Sequence, residues 1–268
     1  MPTGADGVLT ATWRSGAAAV SLEVVGTAWP VAVVEVRIMR LVAGQPDVPV
    51  RGADRVPAIA GFWVGSDHEQ PLHSTVVYQA VGWTAAGAQV VSSMVTVDTT
   101  GAPHGIWLKA AGRPNLTVCT VGRSVDGPTS HTQGGVYDVV GGTGVAVASV
   151  AGVQADRVTM TVGSLTVEQE TAIRALLTTT RILLVQDCGH DVIDSGWYYV
   201  DSVQRAPRDP QHLLPGRNHT LSLTRTGIPA GGGQGVVGWS WAAVEASYAT
   251  WADVEAAYPT WFDLERGA

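Results

Sequence analysis

The chain has 268 residues, of which 46% are hydrophobic and only 15% charged, with a formal net charge of −7. That balance excludes wholesale disorder, which needs low hydrophobicity and high charge, and the length suits two domains better than one ordinary sandwich. Lys109 is the only lysine among 16 cationic residues and no basic stripe exists, so nucleic acid is not an expected partner.

The first hundred residues read as strands. Residues 8–13 and 20–25 are β-rich runs broken by Gly16 and Gly26, and residues 34–38 alternate cleanly, with Val34, Val36 and Ile38 on one side and Glu35 and Arg37 on the other. Period two marks a half-buried antiparallel strand. A turn-rich stretch at 44–57 holds Pro46, Pro49, Gly52 and Pro57, and further strands are predicted at 62–64, 75–84 and 89–97. Short strands at this density predict a β-sandwich over residues 1–100.

Residues 99–103 read as a linker, after which a second domain is predicted over 104–227. Its strands are placed at 116–121, 136–140, 144–150, 157–162, 182–186, 196–203 and 219–223. One helix interrupts them at 166–180. Thr166 and Gln169 form a capping box, Val167, Ile173, Leu176 and Leu177 an apolar face, and Glu170 and Arg174 a pair one turn apart. The domain is therefore predicted as a β-sandwich or split barrel with one surface helix.

Residues 228–238 are a Gly-rich tether, and residues 239–268 carry a repeat. Trp241, Trp251 and Trp261 recur every ten residues, with Val244, Val254 and Leu264 three later and Tyr248 and Tyr258 completing the first two copies. On one straight helix a ten-residue step leaves successive copies about 80° apart, scattering the tryptophans. Short helices, each restarted by its own cap (Thr250 with Asp253, Thr260 with Asp263), are predicted instead. Such helices are unstable alone, so these eight residues form the candidate partner interface.

Chemistry is sparse. His68-Glu69 with His73 resembles a zincin motif, but the i+5 spacing and Pro71 make it a loop. Asp187, Cys188, His190, Asp191 and Asp194 cluster around Gly189, where a solvated hairpin turn is the expected reading. No G-x-S-x-G elbow, paired-carboxylate frame, phosphate cradle or metal-ligand spacing occurs, so no catalytic, cofactor-binding or metal residues are assigned, and the chain is not expected to be an enzyme. Cys119 and Cys188 are too few for a disulfide framework. No apolar run approaches the roughly 20 residues of a membrane span. Residues 1–10 lack the features of a signal peptide, so synthesis in a cytoplasm is expected.

Two resemblances sharpen these expectations. Leu72 six residues before Tyr78, which opens the run Tyr78-Gln79-Ala80-Val81, resembles the tyrosine corner of fibronectin type III domains, with Trp13 or Trp29 as the core tryptophan. As a whole the chain resembles minor tail proteins of siphophages that infect actinobacteria. The likeness rests on Val50-Arg51-Gly52 and Asp67-His68-Glu69, on Gly135-Val136-Tyr137-Asp138-Val139-Val140-Gly141 leading to the 166–180 helix, and on Thr250-Trp251-Ala252-Asp253-Val254. It implies a structural role in the virion tail tip, as a homo-oligomer around the tail axis beside distal-tail, hub or tape-measure proteins, with no catalytic residues to carry over. The competing expectation is a carbohydrate-binding adhesion module, since ten tryptophans against two phenylalanines would furnish stacking platforms for host glycans.

Overall fold

The structure, a computed structural model, describes residues 2–58, 61–111, 113–129, 132–137, 147–153, 157–189, 192–208, 216–229 and 250–257. It is mostly β. The first unit is built from β1 (Leu9–Arg14), β2 (Ala19–Val24), β3 (Glu35–Leu41), β4 (Val48–Pro49), β5 (Val56–Pro57), β6 (Trp63–Asp67), β7 (Thr75–Trp83), β8 (Gln89–Val91) and β9 (Val95–Asp98). Strands β1, β2 and β6 form one antiparallel sheet; in the other, β3 pairs with β4, β5 and β7, and β7 with β8 and β9.

Alternation explains the core between these sheets. Leu9, Ala11, Leu22 and Val24 from the first sheet meet Val36, Ile38, Tyr78 and Ala80 from the second. Each large side chain buried this way contributes about 1.5–3 kcal/mol. Val34 departs from the expected face and is exposed. It precedes the strand, and its amide is already spent on the Trp83 carbonyl. The turn-rich stretch contributes β4 and β5, whose partners are Met39 and Arg40 for one and Glu35 and Val36 for the other. Trp29 lies within the core, while Trp13 packs both on it and on a second apolar cluster nearby.

The second unit holds β10 (Gly105–Ala110), β11 (Arg113–Thr129), β12 (Thr132–Tyr137), β13 (Val147–Val153), β14 (Arg157–Gly163), α1 (Val167–Thr179), β15 (Ile182–Cys188), β16 (Gly196–Pro207) and β17 (Arg217–Arg225). Of the two architectures expected, a barrel and not a sandwich is found, closed where a split one was expected. It is closed in the order β10-β11-β14-β17-β16-β15, with β12 and β13 as a separate two-stranded antiparallel sheet. The strand expected at 116–121 is the middle of a 17-residue one. Gly122, Gly127 and Pro128 look like breaks, but they fall at register shifts between Gly122 and Ser124 and between Asp126 and Thr129. Such bulges absorb residues unsuited to regular pairing while the strand continues.

Helix α1 links β14 to β15. Thr166 accepts the Gln169 amide at 3.2 Å, and the Gln169 side chain reaches back to the Leu165 amide at 2.8 Å, one residue before the cap itself. Ile173, Leu176 and Leu177 enter a core with Ile106, Leu108, Met160, Leu183 and Leu221. Val167 is exposed rather than part of this face. Six residues before Ile173, it sits about 240° around the helix. Glu170 also departs from expectation: its partners are Arg205 and His219, not Arg174.

Residues 99–103 are packed rather than a free linker. The Thr99 hydroxyl is bonded to Ser74 and Pro71, and Ala102 is buried with Trp107, Cys188 and Ala18 between the two units. The last described element, α2 (Trp251–Ala257), is a short helix. Among the described residues no helix is long and apolar enough to cross a membrane.

Candidate functional site

The residues singled out in the tail are mostly outside the described residues: Trp241, Val244, Tyr248, Tyr258, Trp261 and Leu264. Backbone is described for Trp251, and Val254 is only 4% exposed although it sits on a seven-residue helix. The cap is reciprocal. Asp253 accepts the Thr250 amide at 2.9 Å and hydroxyl at 2.8 Å, and donates its own amide to the Thr250 hydroxyl oxygen at 3.3 Å. Thr250 thus caps the start of this one helix, as expected for its copy of the repeat; the other copies lie outside the described residues.

A second surface, not legible in the sequence, comes from the barrel. Strand β16 pairs with β15 only through Gly196–Tyr199, against Ile182–Val185. From Asp201 to Pro207 it pairs with β17 on one side and, among the described residues, with no strand on the other, and these residues are exposed. Strand β11 behaves the same way at the opposite margin. Its first part pairs with β10, and from Val121 onward its strand partner among the described residues is β14 alone. Beyond the closed part of the barrel, then, β11, β14, β17 and β16 form a four-stranded antiparallel sheet whose two margins have no further strand partner among the described residues. Its rows are in register: Asp126, Thr159, Ser222 and Ser202 in one, Ser124, Thr161, Thr220 and Gln204 in the next. An unpaired edge displays backbone donors and acceptors that another strand can satisfy.

The third feature is the seam between the units. The Lys109 ammonium, on β10, donates to the carbonyl oxygens of Ala18 at 2.6 Å and His68 at 2.8 Å. Gln70 donates to the same Ala18 oxygen, and Gln186 on β15 donates to the Gln70 carbonyl. Behind these lies Asp67, whose carboxylate takes both oxygens to Arg40 and accepts the Tyr78 hydroxyl at 3.0 Å. Burial and the Asp67 charge push the Tyr78 hydroxyl well above its ordinary value, so it remains a donor. The His68-Glu69 motif is thus seam material: His68 offers its carbonyl, and Glu69 is ion-paired with Arg51 of the turn-rich stretch. Asp54 in turn pairs with Arg37.

Two further polar clusters are described. Asp187 accepts the amides of Val192 and Ile193, closing the β15–β16 turn, Cys188 is buried, and His190 and Asp191 lie outside the described residues. Within the barrel, Glu170 accepts the Ser164 hydroxyl at 3.0 Å and His219 Nε2 at 2.7 Å, and pairs with Arg205 at 2.6 Å. A nucleophilic serine would give its proton to the imidazole; here serine and imidazole both converge on the carboxylate, which makes a knot tying α1 to β16 and β17. Burial works against the Glu170 charge, but the His219, Ser164 and Arg205 contacts hold its carboxyl below the usual carboxylate range. Glu170→Gln is expected to cost about 1–3 kcal/mol at neutral pH. Because the folded value is depressed, the contribution is full above the ordinary carboxylate range and is lost as pH falls through the folded value. Denaturant midpoints at pH 7 and pH 3 check this; a difference between wild type and variant that does not shrink on acidification refutes it.

The tryptophans with described surroundings do not present open rings. Trp29, Trp83, Trp107 and Trp197 are buried and Trp13 and Trp63 half-buried. Arg37 and Arg55 lie over Trp83, and Arg51 over Trp197. No protein-family model matches the chain, and no curated protein matches it.

Proposed function

We propose that the chain is a non-enzymatic structural component of a siphophage tail tip, assembling as a ring of identical copies around the tail axis beside distal-tail, hub or tape-measure proteins. The observation that carries this reading is the four-stranded sheet whose two edges have no strand partner among the described residues. Four alternating strands end in opposite directions, with β11 at one margin and β16 at the other. A second copy added head to tail therefore sets its β11 against β16 of the first with the antiparallel sense preserved. Repeated rotation either closes a ring or extends a filament, and closed symmetry is the common solution. The fibronectin type III likeness of the first unit belongs to the same reading. Its two sheets hold three strands and a larger set built on β3 and β7, although the Tyr78 hydroxyl donates to the Asp67 side chain on β6 and not to the loop around Leu72 that a tyrosine corner uses.

The test is the mass of the purified chain by light scattering at micromolar concentration, with negative-stain images. A ring is expected. Val203→Lys, which puts a charge on the open β16 edge, is expected to give monomers with an unchanged melting temperature. A wild-type chain that stays monomeric across that range overturns the reading.

A further inference from the structure

We propose that Lys109 makes the seam between sandwich and barrel a protonation-controlled contact, which tightens in alkaline solution and loosens as the solution approaches neutrality. The inference is independent of the assembly reading and rests on the seam alone.

The geometry is specific. The only lysine of the chain is 1% exposed, and it projects from β10 of the barrel onto main-chain oxygens of the sandwich. Two acceptors meet it, the carbonyls of Ala18 and His68. An ammonium carries three protons and a neutral amine two, so the site satisfies the neutral form fully. The third proton of the charged form finds no acceptor among the described residues. A buried donor without an acceptor is costly, and a buried charge more so.

The groups facing the amine do not reverse this balance. From β6 and the loop after it come Asp67 and Glu69, which favour the ammonium. Arg40, from β3, opposes it, and Cys188 stands alongside on β15. Asp67 is already engaged by Arg40 and Tyr78, and Glu69 by Arg51. Burial therefore dominates, and the Lys109 amine is lowered from its ordinary 10.5 to about 7. The sign follows from proton counting. Between about 7 and 10.5 the docked state holds fewer protons than the separated one, so raising pH through that window strengthens docking. Each pH unit inside it shifts the docking equilibrium by up to about tenfold. Below about 7 the amine is charged in both states, and the full cost applies without further change.

A single lysine makes the measurement direct. Lysine labelled with carbon-13 at Cε gives one side-chain resonance in the whole protein. Its titration midpoint is expected near 7 in the folded chain and near 10.5 in urea. The second readout is the thiol of Cys188, fully buried in the seam. In a Cys119→Ser background, its alkylation rate, corrected for the thiolate fraction of an exposed thiol, reports seam opening. Between pH 7 and 9 that corrected rate is expected to fall by up to about tenfold per unit, and to be flat in Lys109→Met. A folded-state midpoint near 10.5, or a corrected rate with the same pH slope in both proteins, overturns the proposal. The resonance measurement uses the unaltered lysine, so it decides the matter even if Lys109→Met fails to fold.

Discussion

Replacing Asp67 by alanine is expected to destabilise the chain by about 3–5 kcal/mol, the usual result of removing one partner from a buried ion pair. The carboxylate sits on β6 of one sandwich sheet, while its partners Arg40 and Tyr78 come from β3 and β7 of the other. Its loss strands a guanidinium and a hydroxyl in the space between the sheets, and also frees the Glu69 amide that it accepts at 2.9 Å. At roughly 2–4 °C per kcal/mol for a chain of this size, the melting temperature should fall by about 10 °C. Asp67→Asn, which keeps an acceptor for Tyr78, should cost less than half as much. A fall of under about 2 °C for Asp67→Ala would show that the pin across the sheets contributes nothing.

Trp107→Ala is the second large effect. The indole lies on β10 but points away from the barrel core, into the cluster with Ala18, Ala102 and Cys188, and its Nε1 donates to the Pro103 carbonyl at 3.0 Å. Truncation to alanine at a buried site of this kind costs about 3–5 kcal/mol. The loss falls on the contact between sandwich and barrel rather than on either core. We therefore expect denaturant unfolding to change from one transition to two, as the units lose their mutual support. A single transition displaced by less than about 1 kcal/mol would place the indole outside the energetics of the seam.

Local features of this fold were legible, and distant ones were not. The alternation through Val36 and Ile38, the capping box at Thr166 and the cap at Thr250 all involve residues within a few positions of each other, so their physics is written in order along the chain. Strand β11 hid its length because Gly122, Gly127 and Pro128 look like terminators, and only pairing with β14 shows them absorbed at bulges. The open edges of β11 and β16 had no sequence signal, because an edge is defined by which strand fails to arrive. Lys109 gave one signal, its singularity among arginines, but its partners Ala18 and His68 are 91 and 41 positions away and offer only backbone. Gln70 and Gln186 were invisible for the same reason. The tail repeat stood out because periodicity needs no tertiary information.

The burial of the one lysine also determines how the folded chain meets a lysine-specific protease. The bond it would hydrolyse, between Lys109 and Ala110, lies at the end of β10, where both residues are still paired on both sides with β11 and β15. Cleavage there requires the barrel wall to peel open, so the rate of that one cut tracks the population of opened barrel when reclosing is fast. The digest has only two products, one carrying the sandwich and the other most of the barrel. The intact fraction on a gel is then a direct clock for local unfolding, with no label and no engineered site.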